Sequence, residues 1–120
     1  MKTYTEKEQR ENLEGACKAL ESNPEKSINK MRDGLGGRCC LAVMEDYARS
    51  IDPEVRSGRI THPHEDLAYF YGITNIYDIS AFSFKFNNGD KVHLCNDGGL
   101  GIKEHTHKEI AARIREDFLS

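Results

Sequence analysis

The sequence predicts an α+β fold in which a small antiparallel sheet, built on a hairpin in the C-terminal half, packs with several helices. Apolar residues recur at helical spacing in the first half of the chain and again at its end. Between them, in residues 80–94, apolar and polar residues alternate around an Asn-Gly pair that is typical of hairpin turns. The 120 residues are expected to form one domain, 1–120.

Two helices are predicted in the first quarter of the chain. Thr5 and Glu8 have the spacing of a capping box, so the first helix is expected over residues 6–22. Leu13, Cys17 and Leu20 are expected on its apolar face. Pro24 suits the first position of a helix and predicts a second, short helix that ends near Met31.

Two more helices are predicted before the hairpin. A loop with three glycines at 33–37 precedes the segment 38–51. Apolar residues at helical spacing there predict a helix with a buried face that includes Ile51 and a solvent face that includes Glu45. Asp52-Pro53 is expected to end it. Proline and acidic residues in 62–66 then predict a further helix that stops at Gly72.

The alternating segment predicts the two strands of the hairpin. Phe82, Phe84 and Phe86 alternate with polar residues before the turn, and Val92 and Leu94 alternate with polar residues after it. A strand is therefore expected to end near residue 95, with the aromatic side chains on one face.

The last segment predicts a C-terminal helix. Thr106 and Glu109 form a second capping box, and Ile110, Ile114 and Phe118 follow as an apolar stripe.

Composition limits the partners and the compartment that are expected. Charged residues make up 31% of the chain and the net charge is -3, so no overall basic field favours long nucleic acid or a membrane surface. The first residues lack the apolar run of a signal peptide, and the four cysteines are expected to be free thiols. A cytoplasmic protein that binds no membrane is therefore expected.

The segment from Asn96 to Gly101 is the first candidate binding site. Gly98 and Gly99 could let backbone N–H groups converge on an anion, although the pattern is not that of a known phosphate loop and also suits a tight turn. Asn96 and Asp97 could hydrogen-bond the hydroxyls of a ribose or the edge of a base, or could simply begin the turn.

Aromatic and basic side chains extend this candidate site. Phe82 and Phe86 are either core residues or platforms on which a base could stack. Arg113 either belongs to a solvated helix face or reaches over the loop to bind a phosphate with its guanidinium group.

Histidines and cysteines offer an alternative, enzymatic interpretation. Two His-x-His pairs, at 62–64 and 105–107, resemble metal ligands, and Cys95 could form a dyad with His93 or His105. However, the sequence has no Cys-x-x-Cys knuckle and shows no group that would orient such a dyad. We therefore expect no metal, cofactor or catalytic residue. A small metal- or cysteine-dependent enzyme that uses His93, Cys95, His105 and His107 is the alternative.

Three short motifs carry a resemblance to known proteins. Residues 38–43 contain a C-C-L-x-V helix, Leu94–Asp97 ends in N-D, and residues 109–114 have the form E-I-A-x-x-I. This combination, over about the last two-thirds of the chain, resembles a group of short phage-encoded proteins. Within that group the chain is similar to the Thoeris anti-defence proteins of the first type. One departure is Ala42, where glycine is commoner in the group.

The resemblance implies a function. Proteins of this family act as sponges: they bind a cyclic ADP-ribose signal of a bacterial immune system without cleaving it, they form oligomers, and some bind cyclic oligonucleotides. By resemblance we expect a non-enzymatic, homo-oligomeric protein in the host cytoplasm. Phe86 (or Phe82) would stack the adenine, Asn96 and Asp97 would hold ribose hydroxyls, and Arg113 would meet the pyrophosphate.

Two further expectations complete this interpretation. Replacing Asn96 or Arg113 by alanine should abolish ligand retention and leave the fold intact, because neither residue belongs to an apolar stripe. A phage module that inhibits a host factor by protein–protein contact is the third possible class.

Overall fold

Five α-helices and a terminal π-helical turn make up most of the structure. The computed structural model describes residues 3–23, 25–27, 34, 37–58, 63–73 and 84–120. In this part of the chain the helices are α1 (Glu6–Glu21), α2 (Cys40–Ile51), α3 (Asp66–Tyr71), α4 (Val92–Asp97) and α5 (His107–Ile114), and the π-helical turn Arg115–Leu119 continues α5.

The predicted α+β class is wrong, because the described residues contain no β-strand or sheet. Backbone pairing outside the helices includes the isolated antiparallel bridges of Lys85 with Lys91 and of Gly99 with Ile102.

The hairpin turn itself forms as predicted. The Gly89 N–H donates to the Phe86 carbonyl at 2.9 Å, and the Phe86 N–H donates to the Asp90 carbonyl at 2.9 Å. Phe84 and Phe86 are both buried and Lys85 is exposed, as their alternation predicts. Phe82 lies outside the described residues.

The strand predicted after the turn is instead α4. Its buried residues are Val92, Cys95 and Asn96, whose spacing of three and then one follows a helix face, whereas Leu94 is only half-buried. A segment of six residues is too short for its apolar pattern to separate the two periods. Packing of α4 against α2 and α5 therefore decides its conformation.

The helix boundaries were predicted better than the sheet. Both capping boxes form: Thr5 and Thr106 each accept a hydrogen bond from the N–H of the glutamate three residues later, and each glutamate bonds back. α2 ends at Asp52, and Gly72 ends α3 in the left-handed conformation with φ of 72°.

The second predicted helix, through Met31, falls largely outside the described residues. Residues 25–27, which are described, are not helical.

α1 is the helix around which the others pack, since it contacts α2, α3 and α5. Its predicted apolar face (Leu13, Cys17 and Leu20) is buried, and the α5 stripe adds the buried Ile110 and Ile114. All four cysteines are buried free thiols, as expected.

Gly15 lies in the middle of α1 for a reason that only the tertiary structure reveals. A Cβ atom at this position would lie 1.8 Å from the Tyr47 hydroxyl oxygen. On helix propensity alone, Gly15→Ala should stabilise the protein by about 1 kcal/mol. We expect Gly15→Ala to give no gain in stability when Tyr47 is present, because the Tyr47 ring must move. The gain should return in a Tyr47→Ala background.

Urea unfolding of the four proteins of this double-mutant cycle measures the coupling between the two positions. An equal gain from Gly15→Ala in both backgrounds would contradict the prediction.

Candidate functional site

Arg113 extends from α5 into a group of side chains from four parts of the chain. We term this group the arginine cluster, and its members are Phe86, Asn88, Asp90, Cys95, His105 and Arg113. The hairpin turn supplies the first three, α4 supplies the cysteine, and the segment before α5 supplies the histidine. Two predicted site residues, Phe86 and Arg113, are thus brought together.

The guanidinium group of Arg113 is the centre of the arginine cluster. Its Nη1 donates to Asp90 Oδ2 and to His105 Nε2, both at 3.2 Å, and its Nη2 donates to Asn88 Oδ1 at 3.1 Å. Nη1 also lies 3.4 Å from the Cys95 Sγ. About a quarter of the Arg113 side chain (24%) and 31% of the Asp90 side chain remain exposed. The pair is therefore accessible to solvent and weak.

Phe86 fixes the orientation of this guanidinium group. The Arg113 Cζ lies 4.2 Å from the centroid of the Phe86 ring, within range of a cation–π interaction. The Phe118 ring stacks against Phe86 at 6.4 Å, and Phe86 is only 2% exposed. In this arrangement Phe86 supports Arg113 and has almost no surface on which a base could stack.

His105 is held by contacts on both its backbone and its ring. Its N–H donates to the Cys95 carbonyl at 2.6 Å, and its carbonyl accepts from Lys26 Nζ at 2.9 Å. Its Nδ1 lies 2.6 Å from the Lys103 carbonyl. Because a carbonyl can only accept, Nδ1 carries the ring hydrogen, and Nε2 accepts from Arg113.

Asn96 has a structural position that the sequence did not suggest. Its side chain is completely buried: Oδ1 accepts from the Cys40 N–H at 3.0 Å, and Nδ2 donates to the Ser27 carbonyl at 2.9 Å and to Asp97 Oδ1 at 2.8 Å. The carboxamide thus faces the start of α2, whereas Cys95 faces the arginine cluster. Because so many buried contacts depend on Asn96, we no longer expect its replacement to leave the fold intact.

The predicted anion-binding segment, Gly98–Gly101, is a tight turn in which the N–H groups of Gly98 and Gly99 bond to carbonyl groups of the same chain. Every residue from Gly98 to Gly101 has positive φ, between 52° and 120°. The Gly98 N–H donates to the Leu94 carbonyl at 2.6 Å, and the Gly99 N–H donates to the Ile102 carbonyl at 3.0 Å. The N–H groups of both predicted anion-binding glycines are therefore paired within the chain, and side chains are left as the candidate donors.

The thiols are poorly suited to nucleophilic catalysis. Burial raises the pKa of Cys17 to about 12 and raises the pKa of Cys40 well above its usual value. Burial also raises the pKa of Cys95, although the Arg113 charge opposes that shift. A thiol with a raised pKa is seldom a thiolate at neutral pH. Across the described residues, no three His, Cys, Asp or Glu side chains are grouped as metal ligands would be.

The buried side chain of His107 makes the stability of the protein depend on pH. Its Nδ1–H donates to the Asn23 carbonyl, and burial lowers its pKa below the ordinary 6.5, with the Lys26 and Arg38 charges adding to that shift. The unfolded chain therefore takes up a proton at higher pH than the folded chain does. The stability contributed by neutral His107 is present above about pH 6.5 and is lost as the pH falls from there through the lower pKa of the folded state.

We expect the free energy of unfolding to decrease between about pH 7.5 and about pH 5.5, and to decrease less in His107→Gln. Urea unfolding at several pH values measures both slopes. Parallel slopes in the two proteins would assign the pH dependence to other groups.

Three polar members of the arginine cluster were not predicted as ligand-binding residues. Asn88 and Asp90 signal a turn, and that signal hides their contacts with Arg113. His105 drew attention only as a metal ligand or the partner of a thiol. Nothing in the sequence reveals that Arg113 reaches all three, because the residues are 8 to 25 positions away along the chain.

Comparison of the chain with protein families, with curated proteins and with solved structures found no match. Within the described ranges, no helix has both the length and the apolar character that crossing a bilayer requires.

Proposed function

We propose that the protein is a non-enzymatic binding protein that sequesters a nucleotide-derived immune signal through the arginine cluster. The expected ligand carries two phosphates, as a cyclic ADP-ribose isomer does. The observation that supports this most is the guanidinium group of Arg113, which stacks on Phe86 and is paired with the half-exposed Asp90. An arginine oriented in advance, with a weak and accessible partner, can exchange that partner for a phosphate.

In this proposal a phosphate oxygen takes the place of the Asp90 carboxylate at Nη1 of Arg113. Asn88 lies beside Nη2 and can donate to a second oxygen through its amide. Phe86 keeps the guanidinium group in position, instead of stacking the adenine as the resemblance implied. Asp97 is half-buried and lies against Asn96, so it is still a candidate for binding a ribose hydroxyl.

Sequestration is favoured over cysteine chemistry for a physical reason. Burial raises the pKa of the Cys95 thiol, and the Nε2 of His105 accepts a hydrogen bond from Arg113. Cys95 therefore has neither the thiolate character nor the basic partner that a nucleophile requires.

Self-association and a location in the host cytoplasm belong to the same proposal, and both rest on the resemblance to the Thoeris anti-defence proteins. Light scattering after size-exclusion chromatography should give a mass that is a multiple of 13.6 kDa. A monomer at all concentrations would remove this part of the proposal.

A bind-and-recover experiment tests the function. The purified protein is titrated calorimetrically with cyclic ADP-ribose isomers, ADP-ribose and cyclic oligonucleotides, then denatured, and the released compound is identified by mass. Binding followed by recovery of the intact ligand supports sequestration. An altered product would support the enzymatic alternative, and the absence of binding to all of these compounds would overturn the proposal.

A further inference from the structure

We propose that His105 is a second cationic group of the arginine cluster, and that the protein takes up one proton when it binds a ligand with two charged phosphates. This inference rests on the proposed function, because it concerns the same site. It adds a residue that neither the motifs nor the resemblance assigned to the ligand, and it defines the charge that the ligand must carry.

The first step is the geometry of the free protein. The His105 backbone is tied to Cys95 and Lys26, and its Nδ1–H is tied to the Lys103 carbonyl. The ring therefore cannot turn freely, and its Nε2 lone pair points at Arg113 Nη1, 3.2 Å away. While Arg113 donates this hydrogen bond, the Nε2 lone pair is occupied as an acceptor.

The second step is the change that a phosphate would cause. When Arg113 donates instead to one phosphate of a pyrophosphate, Nε2 loses its donor and its lone pair lies close to the second phosphate. That arrangement is unfavourable until a proton from solvent binds Nε2 and turns it into a donor to the phosphate. Imidazole is the side chain that gains such a proton most readily near neutral pH.

Charged groups of both signs surround His105. Arg113 and Lys26 are positive, Glu109 in the first turn of α5 is negative, and Asp90 is already paired with Arg113. On the same segment, Lys103 and Glu104 carry opposite charges, and Glu104 pairs with Lys26 at 2.9 Å.

In the free protein the Nε2 of His105 accepts the hydrogen bond from Arg113, and a ligand must supply the negative charge that makes Nε2 a donor instead. A pyrophosphate has one charge on each phosphate, which matches one arginine and one protonated histidine. A single phosphodiester such as cyclic AMP has one charge and requires Arg113 alone. The arginine cluster should therefore discriminate by charge between these two classes of nucleotide.

Calorimetric titration with ADP-ribose tests the inference at about pH 6 and about pH 8, in pairs of phosphate-free buffers with different ionisation enthalpies. We expect the affinity to be about tenfold higher at the lower pH, which by linkage corresponds to a mean uptake of about half a proton per ligand across this interval. His105→Gln should reduce the ratio of the ADP-ribose affinities at the two pH values to below about twofold and abolish the proton uptake. His64→Gln, which removes a histidine next to α3, should retain the wild-type ratio and serves as the matched control.

The outcomes separate the two proposals. If ADP-ribose binds equally at both pH values, or if His105→Gln keeps the wild-type ratio, the role of His105 is overturned and the proposed function stands. If cyclic AMP shows the same pH ratio as ADP-ribose, the requirement for two charges is overturned. If neither ADP-ribose nor cyclic ADP-ribose binds at either pH, the proposed function fails and this inference fails with it. Circular dichroism at each pH confirms that the protein is folded before titration.

Discussion

Asn96→Ala is expected to lower the free energy of unfolding by about 2–4 kcal/mol, one of the largest effects of any polar substitution in this protein. The substitution removes the acceptor of the buried Cys40 N–H and a donor to the Ser27 carbonyl. An unpaired buried group costs about 1–3 kcal/mol, because it loses its bond to water and gains no other.

Urea unfolding measures this cost, and Asn88→Ala is the matched control. Asn88 has the same side chain on an exposed turn, so its replacement should cost less than about 1 kcal/mol. Equal effects of the two substitutions would mean that the buried hydrogen bonds of Asn96 contribute little. Asn96→Ala is for this reason a poor test of ligand binding.

Arg113→Gln should weaken binding of cyclic ADP-ribose by about 100-fold or more, whereas Asp90→Asn should strengthen it by about threefold to tenfold. The first change removes the charged donor that would meet a phosphate. The second removes the carboxylate that competes with the phosphate for Nη1 of Arg113. A residue with only a structural role would not give a gain in affinity.

Calorimetry on the folded variants measures both effects, with Lys108→Gln as the control. Lys108→Gln removes the same charge from the same helix, but Lys108 is exposed. The affinity of this variant for cyclic ADP-ribose should therefore stay within about threefold of the wild type. If Lys108→Gln were as damaging as Arg113→Gln, net charge would explain the binding. A loss of affinity in Asp90→Asn would place Asp90 among the ligand contacts.

Local signals in the sequence explain which parts of the fold were predicted. The capping boxes that begin α1 and α5 involve residues three positions apart, and Gly72 ends α3 by its own backbone freedom. Such interactions are complete within a few residues, so tertiary contacts do not need to be known.

The errors arose where tertiary packing outweighs local preference. Glu45 was assigned to the solvent face of its helix, yet it is 1% exposed, and its carboxylate accepts from the Gly58 N–H at 2.8 Å. Ile51 was assigned to the apolar face and is 55% exposed. Helical spacing identifies a face, but the position of the neighbouring segments decides whether that face is covered.

The candidate site divides in the same way. Phe86 and Arg113 were predicted as site residues because an aromatic residue and a helical arginine each have a chemical use that the sequence shows. In the structure the two side chains lie in contact. Asn96 was predicted as a ligand-binding residue, but its carboxamide holds α4 to the start of α2. The neighbouring Cys95 points in a different direction, toward the arginine cluster, because adjacent residues of a helix differ by about 100° in direction.

The sequence by itself determined the positions of α1, α2, α3 and α5 along the chain and the apolar faces by which α1 and α5 join the core. It also identified Arg113 as the cation to consider. The tertiary structure alone decided that the segment from Val92 is a helix, that Gly98 and Gly99 bond within their own turn, and that Arg113 meets His105. The physical reason is range: caps and apolar stripes act over a few residues, whereas a binding site forms where distant segments are brought together by packing.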